Sequence, residues 1–169
     1  MELNVPILSM YFIIIAFIVI LDQLSKYLIQ VNMEIKESIP VLGDLFHITY
    51  IHNHGAAFSM FQNQTEFLIG FPLIVTIIVL IAMIKIRKTS HWTLLLSMAL
   101  IAGGGIGNLI DRIAYGFVVD FFDFRIWPIF NIADISVCFG CILLVIYMLI
   151  IEPKLAKIKL LNKECNHGD

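Results

Sequence analysis

Charge is scarce in this chain. Only 14% of its 169 residues are Asp, Glu, Lys or Arg, against 60% hydrophobic, and the mean hydropathy is +0.93. Soluble domains carry about 25% charged residues. Too little polar surface is present to face water, and the bilayer is the expected solvent. The same shortage excludes a disordered chain, which is polar and charge-rich. There is no basic excess either: the net charge is -2, without the electrostatic footprint of nucleic-acid binding. Cysteine is nearly absent, at three residues, Cys138, Cys141 and Cys165. Cys138 and Cys141 form a C-x-x-C pattern inside an apolar run, outside the βαβ setting of a redox pair. They read as two small hydrophobes one helical turn apart, and no structural disulfide is implied. Internal repeats and low-complexity tracts are also missing, so a single domain is expected over residues 1–169.

What is abundant is the long apolar run. Four occur, at about 5–28, 67–84, 92–112 and 132–151, followed by a basic tail over 152–169. A hydrocarbon core of ~30 Å needs about 20 helical residues, and each run qualifies with its flanks. The first lacks the basic n-region and the small-residue cleavage site of a secretory leader, so it is expected to be a retained span. The linker between the second and third runs and the tail together hold seven of the eleven basic residues. Basic excess marks the cytoplasmic side. Both termini are therefore expected in the cytoplasm, with nine of the thirteen acids on the opposite, outer side. The outer segment 30–66 carries turn signals at Ile39-Pro40 and Leu42-Gly43-Asp44, then an aromatic and β-branched stretch from Leu45 to Ile51. The expected fold class is a mainly α integral membrane protein. It has four transmembrane helices and a small extracytoplasmic β element between the first two.

Ionisable residues at membrane depth cost about 2.5–3.5 kcal/mol each, so those present need a reason. Asp22 and Lys26 are spaced for a helical ion pair, acid first, which could simply anchor the first helix. His52 and His54 share a strand face and invite a metal, but no third ligand has suitable spacing. Between them Asn53 could bind a peptide or a neighbouring helix, and Gly55-Ala56-Ala57 suggests close backbone approach. The glycine-rich run Gly103 to Gly107 lacks the strand and the Lys-Ser/Thr of a phosphate loop, and suits close helix packing in a membrane. Asn108, Asp111 and Arg112 share one helical face, where Asp111 beside a basic group would stay ionised and brace the fold. Asp120 lies in the apolar frame Phe117-Val118-Val119-Asp120-Phe121, where desolvation should raise its pKa. Asn131 and Asp134 have the spacing of a capping box, which accounts for them without chemistry but says nothing of Asp120.

Two carboxylates brought together at a membrane edge would share a proton, because like charges at close range cannot both ionise. One could then take a proton from water while the other polarises a scissile carbonyl. No Ser/His or Cys/His arrangement competes. Composition and spacing leave open which two of Asp22, Asp111, Asp120 and Asp134 would form such a pair. A proton-coupled carrier would place acids near the middle of several helices, whereas here the helix centres are bare. A non-catalytic scaffold would not need acids in apolar frames.

Five ordered blocks add a further signal: Asp22-Gln-x-Ser-Lys26, Asn53-x-Gly-Ala-Ala-Phe58, Gly107-Asn-x-x-Asp-Arg112, Val118-Val-Asp-Phe121 and Phe130-Asn-x-Ala-Asp134. Over nearly its whole length the chain resembles the bacterial lipoprotein signal peptidases, or signal peptidases II. The resemblance implies a membrane aspartic endopeptidase that cuts prolipoproteins just before a diacylglyceryl-modified Cys, with Asp120 and Asp134 as its catalytic pair. It also implies that Asp22, Lys26, Asn53, Gly55, Asn108, Asp111, Arg112, Asn131 and Ala133 support the site or touch substrate. No metal or other cofactor is expected. The partners it implies are the diacylglyceryl-prolipoproteins and membrane lipids, with no nucleic acid and the chain a monomer. Inhibition by the cyclic peptide globomycin is implied too, as is a multi-pass place in the bacterial cell membrane with the active site at the outer face. His52 and His54 beside Asn53, and the extended basic tail after Lys154, depart from the family pattern.

Overall fold

The structure, a computed structural model, describes residues 5–55 and 65–165. Helix α1 (Val5–Asn32) runs into strands β1 (Ser38–Leu42) and β2 (Phe46–Asn53), and helices α2 (Thr65–Ile86) and α3 (Trp92–Tyr115) follow. Strand β3 (Val118–Asp123) then leads to α4 (Ile132–Ile146), which passes through a π turn at Tyr147–Ile151 into α5 (Glu152–Cys165). Among the described residues four helices are long and apolar enough to cross a membrane. At 1.5 Å per residue, the 28 residues of α1 reach about 42 Å. That exceeds a ~30 Å hydrocarbon core and leaves turns to spare for Asp22, Gln23 and Lys26.

The central helix is α3. Half of its apolar window is buried, against 22% or less in the other three spans. Its small residues make this possible. A Cβ at Gly103 would come within 3.1 Å of Ile18 on α1, one at Gly104 would collide with the Ala133 carbonyl oxygen on α4, and one at Gly107 would lie 2.6 Å from Asp22 Oδ2. Gly140 answers from α4, where a Cβ would sit 2.9 Å from the Ser97 carbonyl oxygen. The glycine run is therefore a packing seam, the use such residues find in membranes. Tyr11, Ile15, Met83, Leu95, Ala99 and Ala102 form the buried core between α1, α2 and α3.

The sheet is antiparallel, in the order β1-β2-β3. Its third strand comes from the connection between α3 and α4, so the β element is not confined to the segment between the first two helices. Val118, Val119 and Phe121 are buried in it, and Phe130 bridges back to Phe122. That reversal returns the chain to the sheet just before α4. Gly116 ends α3 at φ 77, a left-handed cap in which its N–H bonds to the Arg112 carbonyl. Tyr50, Val119 and Phe121 pack with Ile29, Met33 and Ile132, fastening the sheet to the ends of α1 and α4. Glu152 and Pro153 close the fourth apolar run but not the helix. Pro153 has no N–H to offer and its ring crowds the preceding turn, and the wider π turn ahead of it, with the Glu152 N–H on the Tyr147 carbonyl, accommodates it.

Candidate active site

Lys26 sits between two acids. It is 2% exposed, and its ammonium lies 2.8 Å from Asp22 Oδ2 and 2.9 Å from Asp111 Oδ2. The Asp22–Lys26 spacing on α1 is thus a real ion pair, but the basic partner of Asp111 is Lys26, not its neighbour Arg112. Arg112 instead donates to the Gly55 carbonyl at 3.1 Å. Asp22 also works on a second helix. Its Oδ1 accepts the Ala133 N–H at 2.9 Å, so a carboxylate from α1 caps the N-terminus of α4. Asp111 Oδ2 also accepts the Val119 N–H at 3.1 Å and holds β3 against α3. Gln23, which its residue type and spacing do not single out, ties these groups together. Its amide donates to Asp111 Oδ1 at 2.8 Å and to the Gly107 carbonyl at 3.1 Å. The one available signal is its place inside the Asp22–Lys26 block.

Beside this bracing lie Asp120, from β3, and Asp134, from the first turn of α4. Asn131 joins them. Its amide donates to Asp120 Oδ1 at 2.6 Å, and its side-chain oxygen accepts the Asp134 N–H at 2.9 Å. Asp134 Oδ2 returns a bond from the Asn131 N–H at 3.2 Å, which completes the capping box. Asn131 therefore caps the helix and also binds the other acid. Asn53, on β2, donates to Asp120 Oδ2 at 2.8 Å, and Asn108, on α3, donates to Asp134 Oδ1 at 2.7 Å. Every carboxylate oxygen of the two acids has a donor, drawn from β2, α3 and the entry to α4.

Asp120 is 1% exposed. Burial, reinforced by the negative charge of Asp134, pushes its pKa from 3.8 up to about 7, against the hydrogen bonds from Asn53 and Asn131 and the charge of Lys26. At neutral pH this carboxyl therefore holds its proton far more readily than an ordinary carboxylate. A pair holding one proton can supply both a general acid and a general base.

His52 and His54 flank Asn53, as the sequence shows. The His52 ring stacks on Phe117 at 3.7 Å with its Nε2 2.7 Å from the Tyr50 hydroxyl, and His54 meets the edge of the same Phe117. Among the described residues no three His, Cys, Asp or Glu side chains are grouped to hold a metal ion. Ala56, Ala57 and Phe58 of the Asn53 block lie outside the described residues.

The family model for signal peptidase (SPase) II matches residues 14–150. A lipoprotein signal peptidase of Moorella thermoacetica is 48% identical over 136 residues, covering 80% of this chain and 90% of that protein. One from Clostridioides difficile is 44% identical over 147 residues, covering 86% and 98%. A solved bacterial membrane enzyme superposes with a TM-score of 0.73 at 36% identity, over 83% of this chain and 88% of that one. With four apolar spans and these relatives, this is a multi-pass membrane protease, and the chain belongs to the signal peptidase II family.

Proposed function

We propose that this protein, as one membrane-embedded domain, removes signal peptides from diacylglyceryl-modified prolipoproteins by cutting just before the lipidated Cys. Asp120 and Asp134 are the catalytic residues. The observation that carries the assignment is the joining of two acids from different elements through Asn131, while the other acids, Asp22 and Asp111, are committed to Lys26. The ionised carboxylate takes a proton from water, and the oxygen of that water attacks the scissile carbonyl carbon. The protonated carboxyl hydrogen-bonds the carbonyl oxygen and stabilises the oxyanion. Collapse then breaks the C–N bond. The proton goes to the departing amine, now the free N-terminus of the lipidated Cys, and the signal peptide leaves with a new carboxylate.

The acyl chains and signal helix of such a substrate confine it to the bilayer, so it reaches the site laterally and the lipid sets the register of the cut. The charge distribution supports cytoplasmic termini and a site at the outer face. We take the working unit to be a monomer in contact with membrane lipids, inhibited by globomycin. Purified protein in nanodiscs is expected to shorten a diacylglyceryl-modified prolipoprotein on a gel and to leave its unlipidated form intact. Equal cleavage of both forms would contradict the substrate assignment, and cleavage of neither would contradict the activity.

A further inference from the structure

We infer that Lys26 is a positioning residue that acts on Asp134 through Asn108, by fixing which end of the Asn108 amide faces the catalytic pair. An Asn side chain has a donor end and an acceptor end of nearly the same shape, and a half-turn exchanges them. The three asparagines at this site all turn their donor ends to the acids, and each is held that way by a donor on its oxygen. For Asn53 the donor is the Gly55 N–H at 3.0 Å, and for Asn131 it is the Asp134 N–H at 2.9 Å. Both pins are backbone groups within two or three residues of the asparagine.

Asn108 is different. Its Oδ1 accepts from the Lys26 ammonium at 3.0 Å, a charge brought from another helix, and from the Asn131 amide at 3.0 Å. An ammonium has three N–H groups and cannot accept. Here the three meet Asp22, Asp111 and Asn108. Two bond the buried acids, which share its single charge, and the third orients an amide. Turned round, Asn108 would set its NH2 against the ammonium and against the Asn131 NH2, and its oxygen against Asp134 Oδ1, three repulsive contacts in place of three favourable ones. Lys26, the charged one of the two donors on the Asn108 oxygen, thereby keeps a donor on Asp134 without using any of its own N–H groups there.

This rests on the reading of Asp120 and Asp134 as the pair that cleaves. The charged groups close enough to act on Asp134 are Asp22 and Lys26 from α1, Arg112 from α3 and Asp120 from β3. The test is therefore built on uncharged replacements. Asn108→Leu removes the donor. Lys26→Met is made together with Asp22→Asn and Asp111→Asn, so that no buried acid is left unpaired, and a fourth protein combines all four changes. Cleavage of the diacylglyceryl-modified prolipoprotein is followed from about pH 4 to 9, with the wild type alongside.

Asn108→Leu is expected to lower kcat about 10²-fold, with KM within about threefold. The acidic limb of its kcat/KM profile moves to higher pH, because a carboxylate without its donor is harder to ionise. The Lys26 set loses a similar factor, and the combined protein loses no more than the Lys26 set alone, as expected when one residue works through the other. Multiplying losses, an unmoved acidic limb, or an Asn108→Leu protein with kcat within threefold of wild type would each overturn the inference. If the Lys26 set does not insert, the limb of Asn108→Leu decides alone, and an unmoved value overturns it. Absence of cleavage by the wild type would instead be a failure of the proposed function.

Discussion

Replacing either Asp120 or Asp134 by Asn is expected to lower cleavage of a lipidated prolipoprotein about 10³–10⁴-fold, the scale of losing one member of a unit that moves protons. Asn matches Asp in shape, so packing is retained while the ionisable carboxyl is lost. The two losses are not expected to multiply in the double variant, because each acid is useless to the reaction without the other. Inserted, folded protein with uncleaved precursor is the expected state of both single variants. Either one cleaving at near the wild-type rate would remove that residue from the pair. The contrast with Asp22→Asn is informative: its carboxylate holds Lys26 and the Ala133 N–H, so its loss acts first on stability.

The second large effect concerns the fold. Lys26→Met leaves Asp22 and Asp111, at 0% and 1% exposure, without their shared cation. Breaking a buried ion pair by removing one partner costs about 3–5 kcal/mol. For a chain of this size that corresponds to a melting temperature lower by roughly 6–20 °C. Adding Asp22→Asn and Asp111→Asn should recover much of the loss, since neutral replacement of a whole buried network is often tolerated. Thermal unfolding in detergent measures both. A Lys26→Met protein melting within about 2 °C of wild type would mean that the network contributes little.

Much of this is legible from the residues, and what is not has a common cause. The Asp22–Lys26 pair is local, set by helical spacing. The second acid on Lys26 is Asp111, on another helix, while Arg112, next to Asp111 in the chain, gives its hydrogen bond to the Gly55 carbonyl. The strand character of Leu45 to Ile51 shows in its β-branched and aromatic residues, and β2 begins there at Phe46. Val118 to Phe121 also has strand composition, but with an acid in its middle it reads equally well as an apolar frame. That is why the third strand does not show in the sequence. Asp120 and Asp134 are each conspicuous, one for its apolar neighbours and one for its place at a helix start. Their meeting depends on the Phe130 bridge to Phe122 and on an Asn131 amide serving both. Capping and chemistry look like competing explanations of Asn131, yet a single amide has an acceptor for the helix and a donor for the acid.

Under the proposed mechanism Asp120 and Asp134 share one proton at the moment water is activated. The pH dependence of kcat/KM is the measurement that decides this, because that ratio reports the titrations of the free enzyme. With Asp120 raised to about 7 by burial and the charge of Asp134, the pair loses its shared proton as pH rises through that value. Cleavage should therefore be bell-shaped and fall about tenfold per pH unit above an apparent pKa near 7, a value belonging to the pair. A rate that stays level or climbs from pH 7 to 9, with the protein still folded, would contradict the shared proton and the mechanism built on it.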